Sequence, residues 1–509
     1  MTPGEVCLAV DLGTSGLKVG LVGVDGRIIA HDRRDVDTRV GADGEATQDA
    51  EAWWRDVGEL SRGLLARSGV AAEAVAAVGV TGQYASTVPV DAQGRPTGRC
   101  LTWLDTRGGP LVRAAIGGPA LGYRPRAVAR FVARSGGAPS LSGADPVGQM
   151  LYLARHEPEV VARTRWFLEP VDYLTMRCTG VATATLASRV AMWLTDNRHP
   201  ERLEYDGDLA SLVGVDLARL PPLSPFGSVV GTVTPEAAAE LGLTTRAAVV
   251  AGMPDVHAGA AGSGATGLYQ AHVAISTTSW ISCPVPKKKT DALHSIATAP
   301  GLSLDGYLMI DNQETGGRAL EWLRDALGAR HSYEELTALA ESSPPGAGGV
   351  RFAPWLAGER SPADDKRARA AFTGVSLATS TADLVRAVLE GVAVNSAWLL
   401  SHAERFAGRR LEPLRALGGG AQSALWCQVW ADATQRTGVR TPEPLVAQLR
   451  GAARVAAAAI GGPSLADLAA APADGDAFEP DAQRAGLFAA RRGELPELFK
   501  RARRDARRR

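Results

Sequence analysis

The feature that most constrains the fold is a segment of strand, tight turn and strand that occurs twice along the chain. In the first half, an apolar run at 7–10 leads through a Gly-rich turn into alternating apolar residues at 17–21. In the second half, 272–276 leads through the hydroxyl-rich residues 277–279 into another apolar stretch. Short apolar runs and period-two alternation indicate strands. The recurrence predicts an internal duplication of one α/β unit.

Two Asp-Gly dipeptides predict hairpins beside these segments. Asp25-Gly26 supplies the positive φ angles of a two-residue turn after the first copy. The chain is therefore predicted to open with a three-stranded antiparallel meander. Asp305-Gly306 predicts a further hairpin after the second copy.

The remaining apolar residues recur with helical spacing or in short buried runs. Amphipathic helices are predicted at 50–66, 147–155, 319–327, 382–403 and 425–434, and buried strands at 77–80 and 247–251. A chain of 509 residues exceeds what one core usually organises, so two domains are expected. Their boundary is predicted near 252–267, where Gly and Ala dominate, and a cleft between two lobes is a favoured ligand site.

Charge and cysteine content narrow the classes of function. The 55 acidic and 55 basic residues balance, so no global field attracts nucleic acid. Apolar runs such as 455–460 are too short to span a bilayer, and residues 1–10 lack the pattern of a signal peptide. The five cysteines are scattered and odd in number, which argues against disulfides and a zinc site. A cytoplasmic protein without nucleic-acid or membrane partners is predicted.

The sequence DLGTSGLK at 11–18 occupies the turn between the first two strands. Gly13 and Gly16 remove side chains that would keep phosphate oxygens away from the backbone. Thr14 and Ser15 can donate hydrogen bonds to those oxygens. The turn is therefore a candidate phosphate loop.

Two charged residues border this turn. Lys18 places a positive charge where negative charge develops during phosphoryl transfer, and Asp11 can hold Mg²⁺ directly or through water. The alternative is a Gly-containing hairpin with an ordinary surface lysine. A Walker loop is excluded, because Lys18 is not followed by Ser or Thr and no helix begins there.

A second motif identifies the family that the chain resembles. The sequence AAFTGVSLATSTADLVRAVLE at 370–390 fits the second signature of the FGGY carbohydrate kinases at every constrained position. Stretches that are similar to other parts of these kinases occur at 101–107, 171–180, 352–362 and 417–432. The resemblance implies an α/β fold of two ribonuclease-H-like domains, as in the actin/hexokinase/Hsp70 superfamily, around an inter-domain cleft.

The resemblance also implies a division of the chain. Residues 5–252 would form a sugar-binding domain with the first phosphate loop, and 253–462 a nucleotide-binding domain. Residues 463–509 are predicted to form a helical, basic tail. Its basic end, residues 500–509, is interpreted as a solvated helix end or frayed tail, with a weak polyanion contact as the alternative.

Individual residues acquire roles from the same resemblance. Asp255, just beyond a buried strand, corresponds to the family's catalytic base, because a carboxylate must take the proton of the attacking sugar hydroxyl. Without the resemblance, a turn or helix cap would be the commoner role. The residues implied to bind ATP are Gly13, Thr14, Ser15, Lys18, Thr278, Ser279, Gly317, Gly419, Gly420 and Ala421. Thr277 departs from the family's usual Gly, which predicts a less close approach of phosphate.

The residues implied to contact the sugar are Gln83, Tyr84, Trp103, Asp105, Arg107 and Asp255. Here the sequence departs from the family's patterns. Tyr84 and Ala85 stand where xylulokinases have Met-His, and Val256 stands where they have Asn. In the first FGGY signature, Gln149 replaces Lys and Tyr152 replaces Trp. A substrate hydroxyl left unpaired costs about 1 to 3 kcal/mol when buried, so the sugar stays open.

The expected function is ATP-dependent phosphorylation of a terminal hydroxyl of a small ketose or polyol, with Mg²⁺ and a pentulose such as D-xylulose as the first expectation. Ribulose, a pentitol or a tetritol are alternative substrates, and a homodimer is an expectation from the family. Two other classes stay open. One is a nucleotide-binding sensor with weak catalysis, and the other is an actin-like filament protein.

Overall fold

A computed structural model describes residues 5–303, 306–328 and 330–507. The N-terminal lobe is built on strands β1 (Val6–Leu12), β2 (Gly16–Gly23), β3 (Ile28–Asp35), β4 (Val75–Gly82), β5 (Val229–Thr232), β6 (Ala248–Val250) and β7 (Met253–Pro254). They form one sheet in the order β5-β6-β4-β1-β2-β3, with β7 also pairing with β4. The first three strands are the expected antiparallel meander, while β1, β4, β6 and β7 run parallel.

The C-terminal lobe repeats this arrangement. Its main sheet contains β8 (Ala271–Ile275), β9 (Ser279–Ser282), β14 (Leu414–Leu417), β15 (Gly438–Arg440) and β16 (Asp476–Phe478), and a second sheet contains β10 (Pro284–Val285), β11 (Thr290–Asp291), β12 (Ile296–Pro300) and β13 (Tyr307–Ile310). The main sheet has the order β9-β8-β14-β15-β16, with an antiparallel hairpin followed by two parallel strands. Both lobes therefore begin with a strand, a turn and a strand, and the predicted duplication is confirmed.

The hairpin predicted at Asp305-Gly306 lies between β12 and β13. These two strands pair in antiparallel register, with Pro300 opposite Tyr307. Asp305 itself lies outside the described residues.

The helices of the N-terminal half are α1 (Ala50–Ser68), α2 (Gly109–Ile116), α3 (Pro125–Arg134), α4 (Pro146–His156), α5 (Pro158–Arg163), α6 (Pro170–Thr179), α7 (Gly207–Val213), α8 (Pro235–Leu241) and α9 (Asp255–Ser263). Those of the C-terminal half are α10 (Arg318–Ala326), α11 (Tyr333–Ser342), α12 (Thr381–Ala407), α13 (Ala424–Thr434), α14 (Ala447–Ala459), α15 (Leu465–Ala470) and α16 (Ala485–Arg507). Each of the five predicted helices is present to within a few residues.

The longest helix, α12, is the core of the C-terminal lobe. Ser380 and Asp383 form a capping box that fixes its first turn. Its length and apolar composition would suffice to cross a membrane, but 89% of its most apolar window is buried inside the protein. The helix is therefore a core element and not a membrane span.

Helices α9 and α14 lie between the two main sheets and touch through their backbones. A methyl group on Gly451 would overlap the carbonyl oxygen of Ala258, and one on Gly262 would overlap the carbonyl oxygen of Ala447. On one side, α14 packs with Leu449 against the apolar face of the N-terminal sheet. On the other side, α9 contacts β8 and β14 of the C-terminal sheet. The predicted boundary near 252–267 thus falls on a buried helix that both lobes share.

The C-terminal segment is packed against the second lobe. Strand β16 extends the main sheet, and α16 buries Phe488, Leu495 and Phe499 against that lobe's core. Among the basic residues of its last turns, Arg503 donates to Asp365 at 3.0 Å. Residues 508–509 lie outside the described part of the chain.

The close approach of α9 and α14 predicts a position where even one methyl group is harmful. We expect Gly451→Ala to lower stability by about 1 to 3 kcal/mol, because the added atom forces the two backbones apart. Gly493→Ala on α16 is the matched control, since nothing lies within 4 Å of the added methyl group and Ala favours the helix. The measurement is the thermal midpoint of each variant. A midpoint for Gly451→Ala at or above that of Gly493→Ala would contradict the contact.

Candidate active site

The candidate phosphate turn lies at the edge of the N-terminal sheet where β1 and β2 meet. The amide of Gly13 donates to the carbonyl of Gly16 at 2.9 Å, which closes the turn, and Ser15 is exposed at its tip. Asp11 is buried and faces Lys18 across the hairpin, where its Oδ2 accepts from Nζ at 2.8 Å. The turn is therefore open to a ligand, while its anionic and cationic residues are held at its base.

Asp255 lies at the same edge of the sheet, at the start of α9. Strand β7 pairs with β4 opposite Thr81, and Asp11 pairs with Thr81 from the other side. The pKa of the Asp255 carboxyl is raised to about 7, first by burial and then by the nearby negative charge of Asp11, while Lys18 opposes the shift. Sequence positions 11 and 255 are thus brought together as two coupled carboxylates.

The histidine two residues after this carboxylate has a structural role. His257 is buried, and its Nε2 contacts the carbonyl of Pro300 at 2.8 Å. Burial lowers the pKa of His257 to about 4, so the ring is neutral at physiological pH.

The edge of the C-terminal sheet carries the second group of predicted ATP residues. The turn between β8 and β9 is closed by the Gly317 amide, which donates to the Ser276 carbonyl at 2.5 Å. Thr278 is partly exposed on this turn, whereas Ser279 is buried in β9. Thr277, where the family usually has Gly, is exposed at the tip.

The glycine loop after β14 lies directly against that turn. A methyl group on Gly418 would come within 2.5 Å of Ser276 Oγ, so only glycine allows this approach. Gly419 and Gly420 are partly exposed, but the side chain of Ala421 is buried. The structure therefore gathers the second turn, Gly317 and this loop at one sheet edge, with Ala421 able to offer only its backbone.

Thr14 is more than a phosphate candidate, because its hydroxyl joins two predicted sugar residues. It donates to Gln83 Oε1 at 3.1 Å and accepts from Trp103 Nε1 at 2.9 Å. Gln48 completes the network: its Nε2 donates to the Thr14 carbonyl at 2.8 Å, and its Oε1 accepts from Gln83. Trp103 therefore has its indole N–H satisfied beside the phosphate turn, and Gln48 is a site residue that no sequence pattern indicated.

Asp105 and Arg107 chiefly bind each other. Asp105 is buried and accepts from the Arg107 side chain at 2.7 Å and from the amide of Ala46 at 3.1 Å. Arg107 also donates to the Tyr152 hydroxyl at 2.9 Å and lies over its ring. These two residues brace the loop that carries Trp103, which leaves few of their hydrogen-bonding groups for a sugar.

Models of the FGGY family of carbohydrate kinases match most of the chain, the N-terminal domain over residues 6–262 and the C-terminal domain over residues 276–460. The chain belongs to this family. The expected carbohydrate kinase is thereby confirmed, and ATP is its phosphoryl donor.

Individual relatives agree with this family assignment. A xylulose kinase of Staphylococcus epidermidis is 30% identical over 84% of this chain and 83% of its own length. A glycerol kinase of Dechloromonas aromatica is 29% identical over 95% of this chain and 96% of its own length. The crystal structure of a xylulose kinase from Rhodospirillum rubrum superposes with a TM-score of 0.82 at 24% identity, covering 99% of this chain and 100% of that one. The expected two-domain fold is confirmed by this likeness.

The kinase places groups from both lobes around Tyr84. Burial raises the pKa of its phenol above the usual range, the carboxylates of Asp255 and Asp311 raise it further, and the guanidinium of Arg360 opposes them. Asp311 and Arg360 belong to the C-terminal lobe, so charges of both lobes act on the Tyr84 phenol. Asp311 follows an apolar strand as Asp255 does, and that pattern is the signal by which the sequence could have indicated it.

Asp311 is held by one oxygen only. Its Oδ1 accepts from the amide of Ile281 at 2.9 Å, while Oδ2 is buried and has no hydrogen-bond partner among the described residues. Burial raises the pKa of Asp311 to about 8. A buried carboxylate oxygen without a partner is unfavourable, which makes Asp311 a candidate ligand contact.

Arg360 is oriented by a buried acidic residue beneath it. Glu359 Oε1 accepts from the amides of Glu314 and Arg360, both at 2.9 Å, and its Oε2 accepts from Asn395 of α12. The Arg360 side chain then pairs with Glu314 at 2.9 Å. The core helix α12 therefore positions the charged wall of the C-terminal lobe.

Thr14 and Ser15 are neighbours in the first phosphate turn, and we expect their substitution to affect different substrates. We expect Thr14→Val to raise the KM of the sugar several-fold, because it removes the hydrogen bonds to Gln83 and Trp103 while preserving side-chain shape. Ser15→Ala is the matched change at the exposed position, and we expect it to raise the KM of ATP instead. Steady-state kinetics with each substrate varied in turn make the comparison. An effect of Thr14→Val on ATP alone would contradict the network.

Proposed function

We propose that this kinase transfers the γ-phosphoryl group of ATP to a terminal hydroxyl of a pentulose such as D-xylulose, with Asp255 as the general base. The observation that carries the proposal is the position of Asp255, which is partly exposed at the edge of the sheet, coupled to Asp11 and near Tyr84. A base is most effective when its pKa lies near the working pH, as the environment of Asp255 provides. The similarity to xylulose kinases supports a pentulose.

In the proposed reaction, Asp255 takes the proton of the sugar hydroxyl as that oxygen forms a bond to the γ-phosphorus. The bond from this phosphorus to the β-phosphate oxygen breaks, and ADP leaves. Lys18 offsets negative charge on the transferring group, and the amides and hydroxyls of the two turns bind the phosphates. The residues proposed for ATP are Gly13, Thr14, Ser15, Lys18, Thr278, Ser279, Gly317, Gly419, Gly420 and Ala421.

The residues at the N-terminal edge fit Mg²⁺ when it arrives with ATP. Magnesium usually binds one or two carboxylates together with substrate phosphates and water. Asp11 and Asp255 offer two carboxylates whose mutual repulsion a cation would relieve, and no cluster of three metal-ligating side chains occurs within the described ranges. We therefore assign Asp11 to hold the ion, which would neutralise phosphate charge when bound.

The sugar pocket is proposed from groups of both lobes. Gln83, Tyr84 and Trp103 would line it from the N-terminal lobe, and Asp105 and Arg107 would fix the loop behind Trp103. Tyr84 presents a phenol where xylulokinases have Met, so ribulose, a pentitol or a tetritol are alternative acceptors. The similarity to a glycerol kinase supports testing a shorter polyol as well.

We further propose that the enzyme acts in the cytoplasm. All five cysteines are buried free thiols, which fits a reducing compartment. We also propose a homodimer, because dimers are common in the family. We propose no nucleic-acid or membrane partner.

The central experiment measures ADP release with ATP and Mg²⁺ against pentuloses, pentitols, tetritols, glycerol and hexoses. Wild type should turn over a pentulose best. Asp255→Asn should lower kcat by about 100-fold or more, because the hydroxyl loses its proton acceptor, while calorimetry shows that the sugar still binds. Asp325→Asn, an exposed position on α10, is the matched control. Nearly normal turnover by Asp255→Asn with intact binding would overturn the assigned base, and no turnover by wild type would overturn the function.

The pKa of Asp255 predicts how activity depends on pH. The base must be ionised, so kcat/KM should fall by about tenfold per pH unit below the pKa of about 7 and level off above it. Both substrates are kept well below their KM values, so that the rate reports the free enzyme. Enzyme returned from acid to neutral pH should recover full activity, which separates titration from denaturation. A flat profile through the acidic range would contradict a base of raised pKa.

A further inference from the structure

Helix α4 forms the back of the proposed sugar pocket through a buried amide. Gln149 is 1% exposed, and its Nε2 donates to the carbonyl of Ala85 at 3.0 Å and to the carbonyl of Thr102 at 2.9 Å. Ala85 follows Tyr84, and Thr102 precedes Trp103. One side chain therefore joins the two loops that carry the aromatic walls of the pocket.

The loop that carries Tyr84 and Ala85 has an unfavourable backbone conformation where Gln149 donates to it. Ala85 has a φ of 61°, a left-handed conformation that costs an alanine about 1 to 2 kcal/mol. On the far side, the amide of Ser86 donates to the buried carboxylate of Glu169 at 3.0 Å. Hydrogen bonds on both sides of Ala85 thus hold a conformation that the residue would not adopt alone, and this conformation sets the direction of Tyr84.

The loop that carries Trp103 and Arg107 is held at three further points. The amide of Trp103 donates to Ser86 Oγ at 3.1 Å, and the Trp103 indole donates to Thr14. One turn beyond Gln149 on α4, the Tyr152 hydroxyl accepts from Arg107. The two positions at which the sequence departs from the first FGGY signature therefore both hold the pocket loops.

We propose that Gln149 is a positioning residue for the acceptor sugar, which acts by fixing the spacing of Tyr84 and Trp103 through its two donated hydrogen bonds. This inference rests on the proposed function of the same pocket. It identifies what the side chain at this position must provide, namely two N–H donors. Its acceptor oxygen is buried without a hydrogen-bond partner in the part of the chain described, so the donors are the contribution that matters.

The test compares variants that keep the size of Gln149 but differ in donors. Gln149→Met removes both donors, and we expect the KM of the sugar that wild type uses best to rise by about five- to fiftyfold. The KM of ATP should change much less than that of the sugar, because its proposed binding residues lie in other loops and, among the described residues, only Thr14 links them to Trp103. Gln149→Lys supplies donors from an ammonium group and should restore most of the sugar affinity. Met150→Leu, the next residue of α4 and packed in an apolar cluster, is the matched control.

Each outcome bears on the inference. A rise in the sugar KM that clearly exceeds any rise in the ATP KM in Gln149→Met, and recovery in Gln149→Lys, would support it. An unchanged sugar KM, an equal rise in both KM values, or a Gln149→Lys variant as impaired as Gln149→Met would overturn it. Should Gln149→Met not fold, Gln149→Leu removes the donors with a smaller apolar side chain and is judged by the same criteria. Absence of turnover by wild type would instead overturn the proposed function, and this inference with it.

Discussion

The direct backbone contact between α9 and α14 is the constraint on which the rest of the structure depends. Gly262 and Gly451 allow the two helices to approach until the carbonyl oxygens of one occupy the space of the other's missing side chains. Asp255 begins α9, so its position depends on this contact. Because α14 packs on the N-terminal sheet and α9 on the C-terminal sheet, the same contact fixes the proposed catalytic carboxylate relative to both candidate phosphate turns.

Electrostatics at the cleft follow from this rigid placement. Two carboxylates, Asp11 and Asp255, lie at one sheet edge. Lys18 pairs with Asp11 and also acts to lower the pKa of Asp255. Burial and the nearby charge of Asp11 both destabilise the ionised form of Asp255, which keeps the pKa of Asp255 near neutral. The protein thus maintains the proposed base with a pKa near neutral pH, and the stability of the folded core offsets the cost of burying it. Asp311 adds a third acidic residue from the opposite lobe.

The sequence could predict most of the fold, since strand, turn and strand segments have strong local patterns. It could also indicate Asp11, which follows the apolar run 7–10, and Asp255, whose role is implied by the resemblance to the FGGY kinases. Pairwise contacts between distant segments could not be predicted in this way. Thr14 was expected to bind phosphate alone, yet its hydroxyl contacts Gln83 and Trp103, which lie far along the chain. The sequence that resembles a family signature likewise could not show that Gln149 reaches two loops, because side-chain reach depends on packing.

The network around Thr14 gives the pocket a property that neither site has alone. Its main chain belongs to the turn proposed to hold phosphate, and its side chain belongs to the wall proposed to hold sugar. A sugar that orders Trp103 and Gln83 therefore also orders the phosphate turn through one hydroxyl. Ordering one site lowers the conformational entropy that the other must lose on binding, which gives positive coupling without any large movement. The two substrates would then favour each other's binding at the point where the phosphoryl group must pass between them.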